Sequence, residues 1–269
     1  MAVSSRAKFL FSNALLRSTT VLSTNVSMLL PLANLQTPQR TRAAQFNAVS
    51  AVQIGMDLAV AQNVSIVAWA GTNLQSGASV QILHHSTSAF GSATLVEDVT
   101  HVKAAAESGM FTLDYVNFSV FDAINDRYWW VVLNDGSNPA GYLRVGVIGI
   151  GNGFEFPGNF TDGVSVSLVD ESRTEYSAGG TPNTDSRQPA RTISVDFSGV
   201  SDAFLWGGFY RILAQMGGAR DFWFIPYPLA TGTEKQELAM YGRFTSMPRI
   251  AGNGPTLWAP GGLTIRESL

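Results

Sequence analysis

Apolar and polar residues alternate along this chain, with short polar or glycine-containing breaks, and this feature most narrows the folds open to it. In "SAVQIGMDL", Val52, Ile54, Met56 and Leu58 fall on one side. "NVSIVAWAG" sets Val64, Ile66, Ala68 and Ala70 in line, and "SVQILHHS" sets Val80, Ile82 and His84. "MFTLDYVNF" aligns Phe111, Leu113 and Tyr115. Successive side chains of a strand point to opposite faces, so this pattern predicts antiparallel strands with one buried face. Several such strands in series indicate a sandwich or barrel. The expected fold class is therefore mainly β, and no internal repeat is evident.

The stretch "RYWWVVLNDGSNPAGYLRVGVIGIG", residues 127–151, concentrates the signal. Two apolar runs flank a turn, Asn134 to Gly141. Leu143, Val145 and Val147 share one face, with Ile148 and Ile150 on the other. That strand is expected to be covered on both sides near its end. Residues 34–50 are polar and non-periodic and read as a long loop over one end of the sandwich.

Glycine, proline and asparagine crowd "NGFEFPGNFTDG", residues 152–163, which marks a domain boundary. The division expected is 1–155 and 156–269. In the second half, "VSVSLVDES" and "RTISVDF" read as strands on either side of a long polar arm, residues 173–191. The one clear helix is "SDAFLWGGFYRILAQMGG", about residues 201–217. Leu205, Phe209, Ile212, Leu213 and Met216 follow helical spacing, Ser201 suits the N-cap, and Gly217-Gly218 suits the stop. "DFWFIPYPL" and "ELAMYGRFTSM" read as strands around the polar loop "ATGTEKQ". The order is then β, arm, β, α, β, β, with the helix lying on a small curved sheet.

Composition bears on partners. Charged residues make up 14% of the chain, against about 25% in typical domains. Much of the surface is thus expected to face other protein. The net charge of -3 argues against nucleic acid or membrane held by charge. Arginine outnumbers lysine, as at protein interfaces. With no cysteine, disulfides, thiolate zinc sites and thiol catalysis are excluded. No apolar run reaches about 18 residues, so no spanning helix is expected. Ser12, Asn13 and Arg17 interrupt the apolar N-terminal stretch, which reads as mature structure rather than a leader.

Few residues of the chain are arranged for chemistry. His84 and His85 are neighbours and point to opposite faces of a strand, so they do not chelate one ion together; His101 stands apart. There is no H-E-x-x-H, P-loop or G-x-S-x-G. "GIGNGF" has phosphate-loop glycines but lacks the helix that would follow them. Asp57, Glu97, Asp98, Asp114, Asp122, Asp126, Asp135 and Glu155 are scattered, with no pair aimed at one point as a glycosidase requires. A loop-bound Ca²⁺ is compatible with such a sandwich, but no EF-hand spacing occurs. Neither catalytic residues nor a cofactor or metal is expected. Trp69, at a strand end beside "GTNLQSG", is the candidate platform for stacking on a sugar.

Three segments, "QIGMDLAVAQNVSIVAWAGTNL", "SVQILHHSTSAFGSATLV" and "RYWWVVLNDGSNPAGYLRVGVIGIG", resemble the galactose-binding-like, or discoidin-type, jelly roll over residues 10–151. Ala59 stands where that pattern has glycine after Asp57-Leu58. "FWFIPYPLATGTEKQELAMYGRFTSMPRI", through Tyr241-Gly242-Arg243, is similar to minor tail proteins of long-tailed bacteriophages. The β, arm, β, helix, β order resembles the tail-tube fold shared by tube and hub proteins. These resemblances imply an N-terminal jelly roll and a C-terminal tail-tube-like β-barrel or sandwich. They further imply a non-enzymatic distal tail protein of the virion, made in the host bacterial cytoplasm and forming a ring, hexameric in that family. The ring would join the tail tube to the baseplate and meet hub, tape-measure and receptor-binding proteins. The arm, with Tyr176, Arg187 and Arg191, would reach a neighbouring subunit. The alternative is a carbohydrate-binding module for host-surface adhesion, using Trp69 and the loops at 34–50, 71–79 and 134–141.

Overall fold

A computed structural model describes residues 4–17, 19–103, 116–160, 164–197, 199–229, 234–252 and 257–268. The fold is mainly β. It divides into two compact units: residues 1–155 with 222–241, and residues 156–221 with 242–269.

Unit 1 is a β-sandwich. One sheet has the order Val147–Gly151, Val52–Ala70, Asn117–Asn134, Ser79–His85, Thr94–Thr100, with Val21–Thr24 also paired to Val52–Ala70. The facing sheet is Met28–Leu30, Ala44–Phe46, Leu143–Val145. Between them lie Val52, Ile54, Met56, Leu58, Trp129, Val131, Leu133, Phe46, Leu143 and Val145. Alternation in the sequence thus became one buried face, which burial of apolar area stabilises.

Several expectations need correction. Val52–Ala70 is one strand rather than two, broken in register between Asp57 and Gln62. A second irregularity lies between Val64 and Ile66. It sends Val64 into the sandwich core while Ile66, Ala68 and Ala70 enter a second cluster with Leu10, Phe118, Val147, Trp223 and Tyr241. A bulge shifts which face a side chain meets, which the raw period cannot show. Likewise 143–151 splits at Gly146 into two strands of different sheets. A β-carbon at Gly146 would run into the Arg40 carbonyl, so only glycine lets the chain cross there. Val147–Gly151 is buried throughout, with Ile148 and Ile150 toward one cluster and Val147 toward the other. Residues 34–50 are not a bare loop: Leu32–Gln36 is a 3-10 turn and Ala44–Phe46 a strand, burying Leu35 and Phe46. The strand positions Phe111, Leu113 and Tyr115 lie outside the described residues.

The segment 222–241 was expected in the C-terminal domain but belongs to unit 1. Phe222–Ile225 pairs with Lys8–Leu10, in register Lys8↔Ile225 to Leu10↔Trp223. Phe9 stacks with Phe11 and meets Phe222 and Phe224. Aromatic burial of this size outweighs chain proximity. The N-terminal stretch is therefore integral to the core, with Phe9, Leu10 and Leu15 buried. Within "ATGTEKQ" and beyond, Glu234–Leu238 is a short helix.

In unit 2, residues Gly242–Phe244 of the strand Met240–Phe244 pair with Leu263–Glu267. That strand pairs with Ala190–Val195, which pairs with Val164–Val169. The helix runs Asp202–Met216, and the Ser201 side chain accepts from the Phe204 N–H as its N-cap. Over Leu205–Phe209 the hydrogen bonds widen to π spacing, where Gly207-Gly208 loosen the turn. Leu205, Phe209, Leu213 and Met216 face inward, and Gly217, at φ +57°, ends the helix.

Candidate functional site

The loops at one end of unit 1 are tied together around Asp135. This buried carboxylate accepts from the Gln75 N–H at 2.8 Å and from Asn138 Nδ2 at 2.9 Å. Asn138 Nδ2 also donates to the Asn73 carbonyl at 2.9 Å. Asn73 Nδ2 donates to the Tyr142 carbonyl at 2.8 Å, and Asn73 Oδ1 accepts from the Arg144 N–H at 2.7 Å. The loops 71–78 and 134–142 are thereby held as one rigid rim.

Trp69 does not lie on that rim. It is 1% exposed, packed in the sandwich core, and its indole N–H donates to His101 Nδ1 at 3.2 Å. The strand end that looked open is covered because Trp69, opposite Ile148 on the paired strand, packs into the sandwich core with it. A sugar platform at Trp69 is thus ruled out. His101 is itself buried, and burial, helped by Lys103, lowers its pKa to about 4. The exposed groups at this end are different ones. Arg144 stands exposed opposite a half-buried Gln45 on paired strands, next to a half-buried Tyr142. Sequence reading passed over them because only the register of Ala44–Phe46 with Leu143–Val145 puts them together.

The scattered carboxylates are engaged locally. Asp57 forms a two-pronged pair with Arg127, at 2.6 and 2.8 Å. The Arg127 hydrogen bond holds the Asp57 carboxyl below its usual range. Glu97 accepts from Ser119, Asp98 from Ser79 and Gln81, and Glu155 from Lys8. Asp126 Oδ2 lies 2.5 Å from His84 Nδ1, and His85 accepts from the Thr87 N–H. Asp114 lies outside the described residues. Among the described residues no cluster of three metal-ligating side chains occurs.

In unit 2 the polar arm is a hairpin. Arg173–Tyr176 pairs with Pro182–Asp185, closed by a Ser177–Thr181 turn with Gly180 at φ +78°. Every residue of both strands is exposed, Tyr176 to 73%. The Arg187 side chain pairs with Asp185, at 2.9 Å, within the arm itself. Arg191, expected to reach a neighbour, is instead buried against Glu267 of its own unit. It follows the arm and lies on the sheet strand Ala190–Val195, whose register with Leu263–Glu267 brings the two together. Beside the arm, Val164–Val169 is an outer sheet strand with Val166 and Leu168 exposed. A groove of 560 Å³ at the arm's base is lined by Glu171, Arg243, Phe244, Arg266, Glu267 and Ser268, among others.

No known protein family and no curated protein matches the sequence. Solved structures do resemble about half of the chain. A family 32 carbohydrate-binding module, CpGH89CBM32-6 produced by Clostridium perfringens, is 13% identical, covers 54% of this chain and 99% of its own, and has a TM-score of 0.41. The family 32 module of C. perfringens NanJ, solved with galactose, is 14% identical over 54% of this chain and 98% of its own, with a TM-score of 0.38. The lectin domain of lectinolysin, complexed with Lewis B antigen, is 12% identical over 52% of this chain and 96% of its own, with a TM-score of 0.36. At these identities and scores the likenesses carry no argument about what this chain binds.

Proposed function

We propose that the chain is a non-catalytic structural protein that joins neighbouring protein through unit 2. The observation that carries this reading is the arm: a two-stranded hairpin with every strand residue in solvent. An isolated hairpin of this kind is marginal in water, so a neighbour's surface is what would give it a fixed place. The open edge Val164–Val169, with Val166 and Leu168 exposed, offers main-chain pairing beside it. The setting is the tail tip of a long-tailed phage, as a ring, hexameric, between tube and baseplate. Deleting residues 176–187 removes the arm tip without touching the buried core. The expected product is a folded monomer that no longer forms rings in negative-stain microscopy. Intact rings from that deletion would overturn the reading.

A second reading assigns glycan adhesion to unit 1. It is favoured by Arg144, Tyr142 and Gln45 beside a rim already rigid before any ligand arrives. Preorganised polar groups bind with less ordering cost. A glycan array with the full chain and with Arg144→Ala tests it, and an unchanged array for the variant would remove this face from consideration.

A further inference from the structure

The outer side of the unit 2 helix carries a cluster that neither reading uses. Trp206 is 44% exposed and Tyr210 48%. They lie four residues apart on the widened helix, so both project outward while Leu205 and Phe209 face the core. Their ring centroids are 5.1 Å apart, tilted by 58°. Trp258 arrives from the strand Leu257–Gly261, which pairs with Val200–Ser201 at the helix start. Its ring lies 5.4 Å from Trp206 at 85°, edge to face. Three rings therefore form an angled cradle instead of a closed stack. Beside it, a β-carbon added at Gly207 would meet nothing within 4 Å, so the approach is open.

One polar group is built into the cradle. Asp202 Oδ1 accepts from the Trp258 indole N–H, which fixes the carboxylate at the rim. Among the described residues its second oxygen has no hydrogen-bond partner. An apolar protein partner covering the rings would strip water from this carboxylate without replacing its hydrogen bonds, a cost of about 1–3 kcal/mol or more. A ligand with an apolar face and hydroxyls at its edge meets both demands. Sites of this composition, aromatic walls with few placed polar groups, suit small polar ligands.

We infer that Trp206, Tyr210, Trp258 and Asp202 form a saccharide-binding site on unit 2, taking a neutral pyranose. A ring face of the sugar packs on Trp206, and two hydroxyls donate to Asp202. This site shares no residue with the Arg144 face and does not depend on the arm.

The test is tryptophan-fluorescence titration of the full chain with purified neutral oligosaccharides of hexoses and N-acetylhexosamines. The expected result is saturable binding to at least one probe, weakened about tenfold or more by Trp206→Ala and by Asp202→Asn. Arg144→Ala should leave that binding unchanged. Both helix variants alter surface groups, and a circular-dichroism melt confirms that they fold. Tyr210→Ala supplies a third variant away from the N-cap. Binding abolished by Arg144→Ala but not by Trp206→Ala would overturn the site. So would the absence of binding to every probe, or loss of self-association in Trp206→Ala without any saccharide effect, which would make the cradle a protein contact.

Discussion

Arg191 and Glu267 face each other in the interior of unit 2, with Arg191 Nη2 2.7 Å from Glu267 Oε1 and Nε 2.9 Å from Oε2. The preceding residue of the last strand, Arg266, pairs with Glu171 on the other side of the arm. Consecutive residues of Leu263–Glu267 thus hold both roots of the hairpin. The exposed Arg266–Glu171 pair contributes little. The buried pair is different, because removing one partner strands a charge. Arg191→Ala or Glu267→Ala is expected to cost about 3–5 kcal/mol in urea denaturation, and Arg191→Met with Glu267→Leu far less than either alone. A double variant as unstable as the singles would refute this account.

The pair between Asp57 and Arg127 locks the place where Val52–Ala70 slips register against its neighbour. Asp57 Oδ1 also accepts from the Ala59 N–H, at 2.9 Å, and Ala59 sits at φ +68°. A left-handed alanine is strained by roughly 1–2 kcal/mol. Ala59→Gly is expected to stabilise the protein by about 0.5–1 kcal/mol, after the entropy cost of glycine. An unchanged or lower thermal midpoint would count against it. Asp57→Ala should cost about 1–2 kcal/mol, since the pair is partly exposed but also caps the turn.

Acid sensitivity follows from His101. Its folded pKa of about 4 lies below the unfolded value of 6.5, so the unfolded chain binds the proton more readily. The His101 contribution to stability is therefore full above about pH 6.5 and is expected to be lost as the pH drops toward 4, by about 3 kcal/mol in all. Gln in place of His101 retains an acceptor for the Trp69 indole without a proton to gain. Urea melts across this window should show a shallower fall for His101→Gln than for the parent. Parallel curves would show that His101 is not the group responsible.

Gly149 lies against the Trp223 indole, so close that an added β-carbon would fall within the ring's own space. Trp223 is buried, with Tyr241 4.6 Å away ring to ring. Gly149→Ala is expected to destabilise by about 3 kcal/mol, through displacement of the indole. A loss below about 0.5 kcal/mol would mean that the two segments separate easily.

Much of this could be read from residue order. Val52, Ile54, Met56 and Leu58 share a buried face because period two is a property of the strand backbone itself. The helix was legible for the same local reason: Ser201 caps it, Gly217 ends it, and Leu205, Phe209, Leu213 and Met216 line its inner face. The exposed arm was legible from its lack of apolar anchors. What residue order determined, then, was each segment's own geometry and appetite for burial.

Tertiary structure decided which segments meet. Phe222–Ile225 joined Lys8–Leu10 across nearly the whole chain, moving it out of the unit its neighbours build. The same long-range pairing buried Trp69 and paired Arg191 with Glu267. It set Trp258 beside Trp206 and Asp202, which no local spacing foretells. The physical reason is that strand pairing depends on register between distant residues, where one bulge exchanges the inner face for the outer.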